Sequence, residues 1–272
     1  MTITGRHPRK LHQIDPRAQP NLNLARGLLI LEAFSPERTE WGVRDLAREM
    51  RTNATTIHRL MTTLENFGYV EQDMRSKRYR LGAKIMSLAN TYSDQNPLPI
   101  IARRVFHEFS GRFAHSFYLG VLNNFDVIYT AVLDGRGALK ISMQPGGRTA
   151  VYSTGMGKVL LAYQPESFVE AFLAAVPLKA HTPHTNTSAQ RLRRDLHEIQ
   201  RLGYAVNYGE HFEEIGAVAV PVRGNKGEVV AGLSLGFPIH WLAAKRLEIK
   251  AMVALAHEIA DEIAMRTTGR SY

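Results

Sequence analysis

Residues 53–72 read NATTIHRLMTTLENFGYVEQ. Ile57, Leu60, Met61 and Leu64 recur at the three- and four-residue spacing of one helix face. Asn53 is a strong N-cap residue ahead of them, and Gly68 stands where a C-terminal stop belongs. Together they predict a helix over 54–67. Upstream, Val43, Leu46, Ala47 and Met50 put an apolar stripe on a helix of about eight residues, and Arg51, Thr52 and Asn53 form the turn between the two. Farther back, Leu24, Leu28, Leu31 and Phe34 mark a first helix that Pro36 stops. Downstream, 69–72 and 78–81 read as two short strands joined by a polar loop, Asp73 to Lys77. Three helices followed by a hairpin is the order of a winged helix-turn-helix.

The face of the 54–67 helix left outside the apolar stripe carries Thr55, Thr56, His58, Arg59 and Thr62. Short hydroxyls, an imidazole and a guanidinium at a helix N-terminus suit a major groove, where they can meet phosphates, base edges or thymine methyls. A helix N-terminus also favours a nearby phosphate. Arg44 and Asn53 ahead of this face, and Lys77 and Arg78 on the wing, complete the expected DNA-contacting set. Charge agrees: residues 1–85 carry fifteen Lys and Arg against nine Asp and Glu, a net +6 of the chain's +9. A basic segment beside a nearly neutral one fits an anionic partner for the first, most simply nucleic acid.

The length of 272 residues leads to an expectation of two modest domains. No cysteine is present, which excludes disulfide scaffolds, thiol nucleophiles and thiolate metal sites. The longest apolar runs fall far short of a membrane span, and the basic N-terminus has no apolar stretch behind it, so a cytoplasmic protein is expected. Residues 1–20 read as a flexible basic arm, 21–82 as the winged helix-turn-helix and 83–97 as a helical linker broken by Asn96-Pro97-Leu98-Pro99. Residues 98–266 read as a second, α+β domain, with 267–272 a tail. Within it, 100–113 is an amphipathic helix, and 116–121, 127–133 and 139–143 form an antiparallel meander. Helices are expected at 157–163, 166–175 and 188–202. Strands follow at 217–223 and 229–235, and a long helix over 243–265 closes the chain.

The stretch from Leu24 to Leu81 resembles the DNA-binding domain of the IclR family of bacterial transcription regulators. Two segments of the second half agree with this independently. GGRTAVYSTGMGKVLLAY at 146–163 and LGYAVNYGEHFEEIGAVAVPVRGNKGEVVAGLSL at 202–235 are similar to that family's effector-domain segments. One departure is local: Arg51 and Thr52 occupy turn positions where the family usually has a glycine and an apolar residue. The resemblance implies a GAF-like effector domain whose pocket lies between a sheet and the Gly155–Lys158 segment. Carried over by position, Gly155 and Met156 offer backbone N–H groups to a carboxylate, a sensible anion nest. Asn207, Ala217, Ser234 and Gly236 fall on other pocket positions, and Ile141 and Thr149 on the apolar wall. Relatives that bind very small keto acids carry an acid, a cysteine and a serine where this chain has Asn207, Ala217 and Gly236. The expectation is therefore a roomier, less acidic pocket for a larger ligand, such as an aromatic acid.

Enzyme motifs fail on their residues. Gly155-Met156-Gly157-Lys158 lacks both the first glycine and the Ser or Thr of a phosphate-binding loop, because Tyr152 and Val159 stand there. His257, Glu258 and Asp261 lack the second histidine of a helical zinc motif, and no serine sits in G-x-S-x-G. Glu210, His211, Glu213 and Glu214 read as a polar loop, with His181 and His184 solvated. The expected protein is a ligand-responsive, sequence-specific transcription regulator without a cofactor. Its partners are double-stranded DNA at a pseudo-palindromic operator, a small organic acid and further copies of itself in a homodimer or homotetramer, and no membrane. The alternative is a small-molecule enzyme carrying a fused nucleic-acid-binding domain.

Overall fold

The apolar spacings of the sequence become helices and strands in two compact units that divide between Asn96 and Pro97. The structure, a computed structural model, describes residues 21–35, 37–112, 116–135, 143–244 and 248–269.

In the first unit, α1 (Leu22–Glu32) opens on an Asn21 cap whose side chain accepts from the N–H groups of Asn23 and Leu24. Its inward face is not the expected one. Leu24 and Leu28 are 63% and 54% exposed, whereas Ala25, Leu29 and Ile30 are buried. LARGLLIL carries two overlapping stripes, and the one holding Ile30 and Leu29 turns toward Phe34 and Trp41, which are themselves buried. The helix ends at Glu32 on an Ala33 cap, and Pro36 lies outside the described residues. Next come α2 (Val43–Glu49) and α3 (Ala54–Asn66). Between them Arg51 sits at φ +49°, the left-handed conformation that glycine adopts more readily. The Asn53 side chain caps α3 by accepting from Thr56 N–H at 2.7 Å. Ile57 and Met61 are fully buried, and Leu60 and Leu64 pack against the same cluster. Gly68 ends the helix at φ +75°, with Tyr69 N–H returning to Leu64 O at 2.8 Å.

β1 (Val70–Gln72) and β2 (Tyr79–Leu81) form the antiparallel wing. A residue the periodicity did not single out anchors it. Trp41 exchanges backbone hydrogen bonds with Tyr79 at 2.9 and 2.8 Å, and its indole N–H donates to Ala33 O at 2.9 Å. One residue thus joins the end of α1 to the wing, by its side chain at one and its backbone at the other. α4 (Lys84–Gln95) has no buried residue.

The second unit begins with α5 (Leu98–Phe109). Pro97 and Pro99 lie at its cap and first turn, where a missing N–H costs nothing. Then come β3 (Ser116–Asn123), β4 (Asp126–Leu133), β5 (Arg148–Ala150) and α6 (Gly155–Ala162). α7 (Glu166–Ala175), α8 (Ala189–Leu202), β6 (Ala205–Tyr208), β7 (Ile215–Arg223) and β8 (Val229–Pro238) follow. The short α9 (His240–Ala243) and α10 (Ile249–Thr268) close the unit. The closing helix is thus in two pieces, and its long part begins at Ile249 rather than at 243.

The strands form one antiparallel sheet in the order β5-β4-β3-β8-β7-β6. The third strand of the meander is β5; of the expected strand at 139–143, residues 139–142 lie outside the described residues and Met143 is buried outside any strand. α5 and α10 cover one face, packing Phe106, Leu255 and Ile259 into the cluster that holds Phe117 of β3. α6, α7 and α8 cover the other through Val159, Leu161, Phe172 and Leu196. The α+β, two-domain fold class, a winged helix-turn-helix and a GAF-like domain, is the observed one.

The left-handed Arg51 gives the first prediction. A non-glycine residue there costs about 1–2 kcal/mol, partly offset in glycine by about 0.5–1 kcal/mol of extra unfolded-state entropy. Arg51→Gly is expected to stabilise the first unit by about 0.5–1 kcal/mol. Calorimetry of the full chain reads this as a rise in the midpoint of that unit's transition, and a fall would contradict it.

Candidate functional site

On the first unit, Thr55, His58, Arg59 and Thr62 are exposed on α3, and Thr56 is half-buried. The helix uses part of this polar capacity itself. Asn53 Oδ1 is spent on the cap, and the Thr62 hydroxyl donates to His58 O at 3.0 Å, leaving its oxygen free to accept. Arg44 is exposed on α2. The wing loop is built by Asp73, whose carboxylate accepts from Ser76 N–H at 2.6 Å and Arg75 N–H at 3.1 Å. The Ser76 backbone bond holds that carboxyl below the usual range. This turn places Lys77 at φ +57° with its side chain exposed. Arg78 is different: its guanidinium lies 3.3 Å from Asp45 on α2, and Arg38 reaches the same carboxylate at 3.6 Å. Arg78 therefore fastens the wing to α2 as well as adding charge.

On the second unit, a cavity of about 50 Å³ lies between the sheet and the start of α6. It is lined by Tyr118, Tyr129, Met143, Thr154, Gly155, Met156, Asn207, His211, Phe212, Ile215, Ala217, Ser234 and Gly236. Six of the eight sequence-derived effector residues meet there: Gly155, Met156, Asn207, Ala217, Ser234 and Gly236. Thr149 is buried in β5 and does not line the cavity, and Ile141 lies outside the described residues.

The amide arrangement follows from the cap. Thr154 Oγ1 accepts from Gly157 N–H at 3.1 Å, and Lys158 N–H bonds to Thr154 O at 3.0 Å. That leaves Gly155 and Met156 as the first-turn donors, at the positive end of the helix. The helix can come this close because residue 157 is glycine; a Cβ there would collide with the Val151 backbone.

Asn207 is buried with both ends engaged: its amide donates to Ser153 O at 2.8 Å, and its oxygen accepts from Glu210 N–H at 3.2 Å. It shapes the wall and brings no charge. The room released by Gly236 is not empty. A Cβ at that position would stand 3.1 Å from the Tyr118 ring, which lies against the glycine. The roomier pocket expected from small side chains is thus partly refilled by an aromatic from β3.

The polar loop expected at 210–214 is a loop, with Glu213 and Glu214 exposed and its first residues turned inward. Glu210 is 8% exposed and accepts from Lys158 Nζ at 2.6 and 2.7 Å, with Asp195 3.7 Å from the same ammonium. Thr182 and Thr185 donate to Gly209 O and Glu210 O at 2.7 and 2.6 Å. His211 lines the cavity with Nδ1 2.8 Å from the hydroxyl of the fully buried Ser153. His181, although exposed, has its Nε2 3.0 Å from the Tyr152 hydroxyl, and its ring centroid lies 4.4 Å from that of His211. The sequence signal for this cluster was only a glutamate beside a histidine. Tyr118 and Tyr129 gave no signal beyond strand propensity. Burial pushes the Tyr118 phenol up to about 12 and Tyr129 upward as well.

Comparison with known proteins bears on both units. Residues 23–74 match the model of the IclR helix-turn-helix domain, and residues 90–265 match that of the bacterial transcriptional regulator IclR C-terminal domain. The HTH-type transcriptional regulator KdgR of Escherichia coli is 31% identical over 243 residues, covering 89% of this chain and 91% of that protein. The HTH-type transcriptional regulator XynR of Escherichia coli is 30% identical over 78% of this chain and 84% of its own length. Among solved structures, an IclR homolog from Microbacterium hydrocarbonoxydans complexed with 4-hydroxybenzoate aligns with a TM-score of 0.78 and 27% identity. It covers 90% of this chain and 100% of that one.

The buried ion pair sets the prediction for this site. Lys158→Met leaves the Glu210 carboxylate buried and unpaired, at an expected cost of about 3–5 kcal/mol. Replacing both partners, Lys158→Met with Glu210→Met, is expected to recover most of it. Urea unfolding followed by circular dichroism measures both, and a double variant as unstable as the single one would contradict the assignment.

Proposed function

The chain belongs to the IclR family of bacterial transcriptional regulators, and from that premise we propose that it is a ligand-responsive, sequence-specific regulator whose effector is a small aromatic acid. One observation carries this reading. Gly155 and Met156, in the first turn of α6, line a cavity whose other walls are mostly aromatic and apolar: Tyr118, Tyr129, Met143, Phe212 and Ile215. Helix-terminal amides suit a carboxylate, and aromatic walls suit a ring. The 4-hydroxybenzoate held by the Microbacterium relative supports the same class.

On DNA, α3 enters the major groove with Thr55, Thr56, His58, Arg59 and Thr62. Arg44, Asn53, Lys77 and Arg78 add contacts from its flanks and wing. The protein acts as a homodimer or homotetramer on a pseudo-palindromic operator, because two symmetric heads read two half-sites. The effector works only by binding one placement of the heads more tightly than another. The protein binds its ligand and releases it unchanged. The alternative, an enzyme with a nucleic-acid-binding head, would draw on the Ser153–His211 contact. Ser153 is fully buried and does not line the cavity, so the sensor is the better reading.

Fluorescence anisotropy on the DNA upstream of the protein's own gene, with excess non-specific competitor at near-physiological salt, tests the proposal. Specific binding is expected to survive competitor and to shift on adding 4-hydroxybenzoate or benzoate. Arg59→Ala is expected to weaken specific binding by about 1–3 kcal/mol. Binding that disappears into competitor, or a monomer by sizing with and without DNA, would sink the reading.

A further inference from the structure

The acid-binding reading puts a carboxylate beside the first turn of α6 and leaves open what balances its charge. Among the described residues that line the cavity there is no Asp, Glu, Lys or Arg. His211 is the one lining residue whose side chain can become a cation. Lys158, farther along α6, is already engaged: Glu210 holds its ammonium at 2.6 and 2.7 Å, with Asp195 3.7 Å away. An anion taken out of water without a counter-charge is costly.

His211 stands at the end of the cavity where the acid group belongs. Its Nδ1 lies 2.8 Å from the Ser153 hydroxyl, and Ser153 immediately precedes Thr154, the cap of α6. The ring is therefore tied to the same turn that carries Gly155 and Met156. A hydroxyl can donate to a neutral Nδ1 or accept from a protonated one, so this tether serves the ring in either state. The groups around the ring bear on its charge. The His181 ring centroid is 4.4 Å away, and two imidazolium rings that close repel, so the pair resists a second proton. Burial pushes the phenols of Tyr118, Tyr129 and Tyr152 upward, and they stay neutral at physiological pH. Glu210 is spent on Lys158, and Glu213 and Glu214 are exposed, where water and salt screen them.

We propose that His211 is the counter-ion of the effector, and that its imidazole takes up a proton from solvent as the acid binds. This rests on the acid-binding reading and adds a binding residue and a proton to it. An ordinary imidazole is half-protonated at about pH 6.5, and an adjacent carboxylate raises that midpoint. Below the midpoint of the free protein His211 is already charged, and affinity is at its highest. Between the free and bound midpoints binding draws in a proton, and affinity falls as pH rises by at most about tenfold per unit. Above both midpoints affinity levels off at its lowest value. The cavity thus gains a cation only when an acid occupies it.

Titration calorimetry of benzoate and 4-hydroxybenzoate into the full-length protein counts these protons when it is repeated in buffers of different ionisation enthalpy. The range is about pH 6 to 8, across which both carboxylates stay ionised. The wild type is expected to take up at least about half a proton per bound acid within this range, and to bind about tenfold more weakly at its upper end. His211→Asn keeps an amide within reach of Ser153, and is expected to bind without proton uptake and to vary less than about twofold with pH. The wild-type proton count stands whether or not that variant folds. A wild type that binds an acid with neither uptake nor pH dependence, or a folded variant that retains both, overturns the role of His211 and leaves the acid-binding reading intact. If the folded wild type binds neither acid anywhere in the range, the acid-binding reading falls and this inference falls with it.

Discussion

An ammonium group cannot be buried alone, and the arrangement of the second unit follows from where Lys158 finds its counter-charge. The side chain leaves a helix whose residues are all buried, and Glu210 meets it on a segment fifty-two residues later. Asp195 on α8 lies close to the same ammonium. The pair therefore fixes three pieces that the backbone alone would leave independent: the start of α6, the segment after β6 and the middle of α8. His211 and Phe212, next to Glu210 in sequence, become walls of the cavity as a result. Thr182 and Thr185 hold the same segment from its other side through its carbonyl groups. An ion pair of this kind adds little net stability compared with a well-packed apolar pair. Its value here is that it specifies one arrangement of the three pieces.

The first unit is organised by smaller devices closer together in sequence. A side-chain cap starts α3 and a left-handed glycine ends it, so the length of the helix is set locally. Trp41 then connects what those signals leave open. Its indole reaches the end of α1 and its backbone reaches the wing, which sets the wing strands against the helices. The two units thus achieve definition differently. One uses punctuation within a few residues, and the other uses charge across long separations.

That difference explains what was legible in the sequence. Asn53, the Ile57-to-Leu64 stripe and Gly68 could be read directly, because each acts on its immediate neighbours. The wing strands could be read for the same reason. The inward face of α1 could not, since Leu24 with Leu28 and Ala25 with Leu29 are equally periodic, and only the partner surface chooses between them. β5 and β6, three and four residues long, were not read as strands at all. In the cavity, the glycines and the small residues of β7 and β8 were visible through family resemblance. Tyr118 was not, because its place in the wall depends on its ring lying against Gly236, on a different strand. Glu210 looked like any surface acid until Lys158 was seen beside it.

The wing carries a further consequence for the thermodynamics of association with a polyanion. Arg78 and Arg38 both lie against Asp45, so this corner of the surface is already partly neutralised before any phosphate arrives. A phosphate that recruits Arg78 must take it from a carboxylate rather than from water. Fewer condensed counterions are then released than the number of guanidinium groups on the surface would indicate. On the proposed DNA interface, the steepness with which affinity falls as salt is added would be governed by exposed cations that no described acid engages, such as Lys77. Formal charge alone therefore overstates the counterion release that this corner of the surface could contribute to binding a polyanion.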